Sequence, residues 1–238
     1  MPVNRKVEVC LSPLLLPLYK LDDKLVVVID VLRATTAICM GFEHGVSSIR
    51  PVATPEESLA LKAEGYLAAA ERDGKVVAGF DFGNSPFAYM NGKVQGRKVA
   101  LTTTNGTKAI QLSKSAKQLY IGSFANLQAL IELLAKRSED VLLVCAGWKD
   151  NFNLEDTLFA GAVVDGLTVS QQINCDSSLA AKILYHKAAA DLFGFIKYSS
   201  HYQRLAKMGI EEDIKLCMTR NLTRQIPVLV GEELVALA

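Results

Sequence analysis

The 238-residue chain is apolar and nearly neutral: half of its residues are hydrophobic, and 26 Lys and Arg against 25 Asp and Glu leave a net charge of +1. This composition argues against a disordered chain and lacks the strong basic field of a nucleic-acid-binding protein. The length is sufficient for one large domain or two small ones.

The cysteines and the N-terminal stretch indicate the cellular compartment. The five cysteines are scattered, lack the spacing of a zinc site, and suggest buried thiols in a reducing environment. Pro13 and Pro17 interrupt a short apolar stretch, so neither a signal peptide nor a membrane span is predicted. We therefore expect a cytoplasmic protein with no nucleic-acid partner and no membrane association.

Strands and helices are predicted to alternate along the first two thirds of the chain. The predicted strands cover residues 7–11, 26–30, 48–52, 66–72, 98–101, 118–121 and 141–145. The predicted helices cover 34–43 and 125–136, and others begin at about Thr54, Thr107 and Leu154. This alternation predicts a three-layer α/β/α fold with a mainly parallel sheet, or a mixed one.

After residue 168 the pattern becomes mostly helical. The helices are predicted at 177–193, 200–207 and 210–217, with a final strand at 228–230. We interpret residues 1–238 as a single domain, in which 1–167 form the α/β core and 168–238 form a helical cover with a last strand. The alternative is that this last third forms a half-domain on the same sheet.

The apolar run Val26–Ile29 leads directly into Asp30, and Arg33 follows in the next turn. A run without alternation is typical of a strand buried on both faces, and parallel sheets bind ligands beyond the carboxyl ends of their strands. Asp30 could be a metal ligand, a nucleophile or a cap for the next helix. Arg33 suits an oxyanion clamp, or else a structural partner of Asp30.

The segment TTTNGT, residues 102–107, places hydroxyls, an amide and a glycine at a predicted strand-to-helix turn. Backbone N–H groups at such a turn, together with the helix N-terminus, favour an anion. The segment lacks the lysine and the spacing of a P-loop. The alternative is an ordinary turn with a threonine cap.

Two adjacent acids, Glu155 and Asp156, stand at a predicted helix start. Carboxylates with few histidines suit a hard cation such as Mg²⁺. Alternatively, Asn153 caps the helix and the acids interact favourably with its dipole. Because neighbours on a helix do not share a face, one acid can bind metal while the other caps, bridges through water or acts as a base.

The histidines form no metal-binding pattern, and His201, at a predicted helix start, is predicted to be a cap or a surface residue. Trp148 follows a predicted buried strand, and either walls the site or packs in the core.

The chain resembles the 2-phosphosulfolactate phosphatase family in an ordered set of motifs that spans nearly its whole length. The matching segments are VIDVLRATT (28–36), AERDG with GFDFGNSP (70–86), TTTNGT (102–107), CAGWKDNFNLEDTLFAG (145–161) and SSHYQRLAKMGIEEDIKLC (199–217). Two positions depart from the family pattern: Tyr202 stands where glycine is usual, and Asn221 where an acid is common.

The resemblance implies a magnesium-dependent hydrolase with the family's own α/β fold, which releases phosphate from 2-phospho-3-sulfolactate to give 3-sulfolactate. Under this hypothesis Asp30, Glu155 and Asp156 hold Mg²⁺ or its waters. Arg33 balances the charge that develops on the phosphoryl group. The residues expected to bind the substrate are Glu71, Arg72, Asn84, Thr103, Thr104, Asn105, Gly106 and Thr107.

Within this set, residues 103–107 would cradle the phosphoryl oxygens, and Arg72 is the candidate for the sulfonate or the carboxylate. Attack by a metal-activated water is the preferred route, and a phospho-aspartate at Asp30 is the rival. Two other functions stay open: a magnesium phosphatase for another small phosphorylated acid, and a non-catalytic anion-binding protein. A homodimer is compatible with the sequence.

Overall fold

The computed structural model describes residues 5–72, 75–168, 171–173 and 175–237, so the last two residues of AERDG, 73 and 74, lie outside the described residues. The strands of the described part are β1 (Lys6–Cys10), β2 (Leu25–Ile29), β3 (Ser48–Pro51), β4 (Leu67–Arg72), β5 (Lys75–Val76), β6 (Lys98–Thr102), β7 (Gln118–Gly122), β8 (Val141–Cys145), β9 (Gln172–Ile173), β10 (Pro227–Val230) and β11 (Glu233–Ala236). The α-helices are α1 (Ala34–Glu43), α2 (Pro55–Ala60), α3 (Gly106–Leu112), α4 (Leu127–Ala135), α5 (Leu154–Leu167), α6 (Asp176–Ala188), α7 (Leu192–Ile196), α8 (Ser200–Ala206) and α9 (Glu211–Cys217).

These strands form one sheet in the order β5-β4-β6-β3-β11-β10-β7-β2-β8-β1-β9. One parallel group contains β7, β2, β8, β1 and β9, and a second contains β4, β6 and β3. Within the first group, Val28 pairs with Ile121 on one side and with Val144 on the other. All five residues of β2 are buried, as expected for a central strand covered on both faces.

A C-terminal hairpin joins the two parallel groups. The sequence predicts a single last strand at 228–230, whereas the structure has two strands, β10 and β11, inserted between β7 and β3. Both outer pairings of the hairpin are antiparallel, as is the pairing within it. The strand direction therefore reverses between the groups, and the sheet is mixed.

Two strands that are well separated in this order lead into neighbouring turns. Five strand-to-strand steps separate β2 from β6, which at ~4.8 Å each would span ~24 Å in a flat sheet. Nevertheless, a Cβ atom built on Gly106, just after β6, would lie only 2.7 Å from Oδ2 of Asp30, just after β2. The turn after β6 thus lies against the turn after β2, and two distant segments of the chain meet there.

Helices cover both faces of the sheet and give the three-layer α/β/α arrangement. Val27 and Ile29 of β2 belong to one apolar cluster, whereas Val26 and Val28 belong to another, because successive residues of a strand face opposite sides. The first cluster includes residues of α4, α5 and α6, and the second includes residues of α1 and α3. None of the helices in the described ranges is both long and apolar enough to cross a membrane.

The predicted helix at 177–193 is two helices in the structure. The first, α6, ends at Ala188, and α7 begins at Leu192. Asp191 separates them because its Oδ1 accepts a hydrogen bond from the N–H of Gly194, as an N-cap does. The apolar pattern that predicts one helix runs on through this cap.

Candidate active site

A cavity of about 290 Å³ opens beyond the end of β2. Its lining combines acids, amides, cations and apolar groups: Asp30, Leu32, Arg33, Glu71, Asn84, Asn105, Trp148, His201, Arg204, Leu205, Lys207 and Met208. Five of the residues predicted to form the site, from four separate segments of the chain, therefore meet in one place.

Asp30 lies in the turn between β2 and α1 and is only 7% exposed. Its backbone N–H donates to Thr35 Oγ1 at 3.1 Å, and its carbonyl accepts from the Thr35 N–H at 2.9 Å. The Leu32–Arg33 peptide bond in this turn is cis. Gly106 packs against the carboxylate so closely that any side chain at this position would collide with it.

The environment of Asp30 disfavours the ionised form of its carboxyl group. Burial raises the pKa of this carboxyl from 3.8 to about 7, and the nearby charges of Glu71 and Glu155 act in the same direction. His201 and a hydrogen bond from the Ala34 N–H lower the pKa, but do not outweigh the burial. A cation bound next to Asp30 would relieve this cost.

Asp156 is fully buried, is not part of the cavity lining, and is held by three donors. Its Oδ1 accepts from the Val31 N–H at 2.8 Å, and its Oδ2 accepts from the Gly147 N–H at 3.1 Å and from Asn153 Nδ2 at 3.0 Å. Burial, followed by the charge of Glu155, raises its pKa well above 3.8. Asp156 thus ties the turn after β2 to the loop after β8, and its predicted contact with Mg²⁺ stays a prediction.

Glu155 has a different environment from its neighbour. It is fully buried, and its Oε1 forms a short contact with His201 Nδ1. Its Oε2 has no hydrogen-bond partner among the described residues, and the same holds for Oδ1 of buried Asn84, which lines the cavity. Buried acceptors are rarely left unsatisfied, so these two oxygens indicate a missing proton donor or cation.

The residues that the structure describes contain no group of three or more His, Cys, Asp or Glu side chains arranged to hold a metal ion. Mg²⁺ is usually held by one or two carboxylates, with water and substrate phosphates as the other ligands. Asp30 and Glu155, together with the amide oxygen of Asn84, are oxygen donors of the kind that Mg²⁺ prefers.

Arg33 forms a buried salt bridge with Asp213 of α9, an acid 180 residues away in the chain. The exposed fractions of the two side chains are 6% and 11%. Arg33 lines the cavity nevertheless, and its position is fixed by this ion pair.

The TTTNGT segment is divided between two cavities. Asn105 lines the main cavity, whereas Thr103, Thr104 and Thr107 line a neighbouring one of about 390 Å³ with Arg72. Thr103 and Thr107 also bond to each other: each backbone N–H donates to the other's Oγ1 at 3.2 Å. Their hydroxyls therefore cap the turn, and the predicted phosphoryl cradle stays a prediction.

Sequence reasoning missed several residues from the C-terminal helices. The prediction that His201 is a cap or a surface residue is wrong, because it is buried against Glu155 and lines the cavity. Trp148 lines the cavity as well, with its ring 5.2 Å from the His201 ring and 4.7 Å from Arg204 Cζ. Arg204, Lys207 and Asp213 carry no local motif that would single them out in a helix.

The two departures from the family pattern lie away from the cavity lining. Tyr202 is buried, and its hydroxyl donates to Glu211 Oε1 at 2.6 Å, which joins α8 to α9. Asn221 has a φ of 61° and accepts a hydrogen bond from the Gln128 N–H at 2.9 Å. Asparagine tolerates this left-handed conformation, so both residues have structural roles.

An α/β fold with buried acids and several cations around one cavity is typical of proteins that bind a small anionic molecule. A family model described as 2-phosphosulpholactate phosphatase matches residues 10–232. Proteins named "Probable 2-phosphosulfolactate phosphatase" from Thermotoga petrophila and Thermotoga maritima are each 41% identical over 215 residues, or 90% of this chain and 93% of the relative. One from Caldanaerobacter subterraneus is 36% identical over 214 residues, or 88% and 89%. The chain belongs to the 2-phosphosulpholactate phosphatase family, and it is a phosphoric monoester hydrolase.

Proposed function

We propose that the protein hydrolyses 2-phospho-3-sulfolactate to 3-sulfolactate and phosphate, and that it requires Mg²⁺. The names of the relatives support this substrate. The structural observation that carries the proposal is the pair of unsatisfied buried oxygens, on Glu155 and Asn84, beside the charge-disfavoured Asp30. These unsatisfied oxygens lie next to a carboxylate whose ionised form a cation would stabilise. Such an arrangement is suited to binding Mg²⁺ together with a phosphate ester.

Asp30 and Glu155 are the residues that would hold Mg²⁺, with Asn84 as a third oxygen donor. Bound there, Mg²⁺ would neutralise charge on the phosphoryl oxygens. Asp156 would act indirectly in this scheme, because its two backbone contacts join the turns that carry Val31 and Gly147, and its third contact is with Asn153. It would hold the turn that carries Asp30 in place.

The chain's other residues supply positioning and charge. Arg33, fixed by Asp213, places a guanidinium at the cavity wall, where it stabilises negative charge on the transferring group. His201 is oriented by the contact of its Nδ1 with Glu155, which leaves Nε2 for exchanging a proton with the leaving-group oxygen. Because Gly106 has no side chain, the backbone at this position can pack directly against the Asp30 carboxylate and hold it in place.

The test is steady-state phosphate release from 2-phospho-3-sulfolactate, 2-phospholactate and p-nitrophenyl phosphate, with Mg²⁺ and with EDTA. We expect turnover that depends on Mg²⁺ and favours the sulfonated ester. Equal turnover of 2-phospholactate would instead favour a phosphatase for another small phosphorylated acid. Binding of phosphate without any turnover would favour a non-catalytic anion-binding protein.

A second experiment separates the two routes of attack. Direct attack by water leaves no phosphorylated enzyme, whereas attack by Asp30 would give an acyl phosphate on this residue. We expect no phosphorylated peptide containing Asp30 after acid quenching during turnover, as measured by mass spectrometry. Detection of such a peptide in the wild type would contradict the water route.

A further inference from the structure

The charges around the main cavity are arranged by depth. Asp30 and Glu71 are buried, whereas Arg204 and Lys207, which also line the cavity, are exposed. Neither of these two cations forms a salt bridge with a carboxylate within the described ranges of the chain. The cavity therefore combines an acidic interior with a basic rim whose charge is not neutralised.

From this arrangement we infer that Arg204 is the specificity-determining residue that binds the sulfonate of the substrate at the cavity rim. The inference rests on the proposed function, because it assigns the recognition of that substrate to one side chain. A sulfonate is always ionised and has several oxygens. A guanidinium presents a planar pair of donors that can bond two such oxygens together, and Lys207 next to it can add only a point charge.

Helix α8 holds Arg204 in place from its buried side. Its first turn is capped by Ser199, whose Oγ accepts from the Tyr202 N–H at 3.0 Å. His201 and Leu205, four residues apart, are both buried and fix the inner face of the helix. Arg204 lies one turn after His201, and this spacing directs both side chains to the same ring of Trp148.

Trp148 positions the guanidinium. Arg204 Cζ lies 4.7 Å from the centre of the Trp148 ring, and the His201 ring lies 5.2 Å from it. A cation over an aromatic face is attracted to it, and stacking leaves the in-plane N–H groups of the guanidinium available. Trp148 thus lies against the guanidinium, Nη1 donates to Ser200 Oγ at 3.5 Å, and the other N–H groups are left for a ligand.

The other arginines near the site are committed elsewhere. Arg33 is in a buried salt bridge with Asp213. Arg72, the residue predicted for the sulfonate or carboxylate, lines the neighbouring cavity, and its Nη1 donates to the Glu71 carbonyl at 2.7 Å. Arg204 lines the main cavity, so the sulfonate is better assigned to it than to Arg72.

The experiment compares kcat/KM for 2-phospho-3-sulfolactate and 2-phospholactate in Arg204→Gln and Arg204→Lys. Loss of a charge-assisted contact predicts that Arg204→Gln lowers kcat/KM for the sulfonated ester by about 10- to 100-fold, mainly through KM. The value for 2-phospholactate should change less than about threefold. Arg204→Lys should recover part of the loss, because it keeps the charge.

Lys149→Gln is the matched control. The Lys149 amine also lies near the Trp148 ring, at 5.4 Å, but Lys149 does not line the cavity. Its substitution should leave kcat/KM unchanged for both substrates. If Arg204→Gln lowers kcat/KM equally for both esters, or for neither, the assignment to Arg204 is overturned.

Calorimetry with 3-sulfolactate and lactate separates this inference from the proposed function, since it needs no turnover. We expect the wild type to bind 3-sulfolactate more tightly than lactate, and Arg204→Gln to lose this preference. If the wild type hydrolyses none of the esters but shows this pattern, the proposed function fails and the inference stands. If the wild type does not prefer 3-sulfolactate, or the variant keeps the preference, the inference fails.

Discussion

Replacing Asp30 by Asn is expected to abolish hydrolysis and yet to stabilise the metal-free protein. Burial raises the pKa of Asp30 from 3.8 to about 7, so the folded state binds the proton more tightly than the unfolded state does. The stability that this group contributes is therefore present below pH 3.8 and is lost as the pH rises through 7. One pKa unit corresponds to about 1.4 kcal/mol, so ionising Asp30 costs the fold at most about 4 kcal/mol at pH 8.

The assay is urea denaturation in EDTA at pH 8 and at pH 4. At pH 8, Asp30→Asn should exceed the wild type in free energy of unfolding by up to about 4 kcal/mol, because the amide carries no charge to desolvate. At pH 4 the two proteins should differ little, because Asp30 is protonated when the wild type is folded. Asp23→Asn, which removes an exposed acid, serves as the control and should show no such dependence on pH.

Two results would refute this reasoning. The first is a variant that is less stable than the wild type at pH 8, and the second is a stability difference that does not change between pH 4 and pH 8. Added Mg²⁺ provides a further check that does not require activity. It should raise the unfolding midpoint of the wild type and have a much smaller effect on Asp30→Asn, since ligands stabilise only the state that binds them.

Three further substitutions test how the site is built. Gly106→Ala should lower kcat about 100-fold with little change in circular dichroism, because its Cβ would lie 2.7 Å from Asp30 Oδ2 and displace that carboxylate. Arg33→Met should destabilise the protein by about 3–5 kcal/mol in urea, since it leaves the buried carboxylate of Asp213 without its partner, and adding Asp213→Leu should restore much of this loss. Gly161→Ala should cost about 1–3 kcal/mol and leave KM unchanged, because its Cβ would meet a carbonyl oxygen of α6 at 2.0 Å, far from the cavity.

The parallel part of the fold could be predicted from the sequence because its signals are local. The runs that become β2 and β8 are apolar throughout, and each is followed by a helix with a recognisable start. The position of the C-terminal hairpin in the middle of the sheet could not be predicted. It depends on single pairings, Val228 with Tyr120 and Leu234 with Ile49, that join residues more than a hundred positions apart.

The residues of the candidate site also divide into those with a local sequence signal and those placed by long-range contacts. Asp30 directly follows β2 and Asn105 lies in the turn after β6, where a site is expected, and both line the cavity. His201 and Arg204 lie in the segment 199–217, which matches the family pattern but has no spacing that assigns a role to either residue. Their roles depend on tertiary contacts with Glu155 and Trp148, which no spacing rule within α8 contains.

The adjacent acids Glu155 and Asp156 show why a motif does not by itself assign roles. Neighbouring residues on a helix point about 100° apart, so both acids can be buried and still meet different groups. Asp156 meets two backbone N–H groups and the amide of Asn153, donors that satisfy a carboxylate without any ligand. Glu155 meets one histidine and keeps an oxygen without a partner, an arrangement that is costly unless a ligand supplies what is missing. The same residue type in the same helical turn therefore serves as a structural tie in one position and as a candidate cation ligand in the other, and it is the count of donors around each carboxylate that distinguishes them.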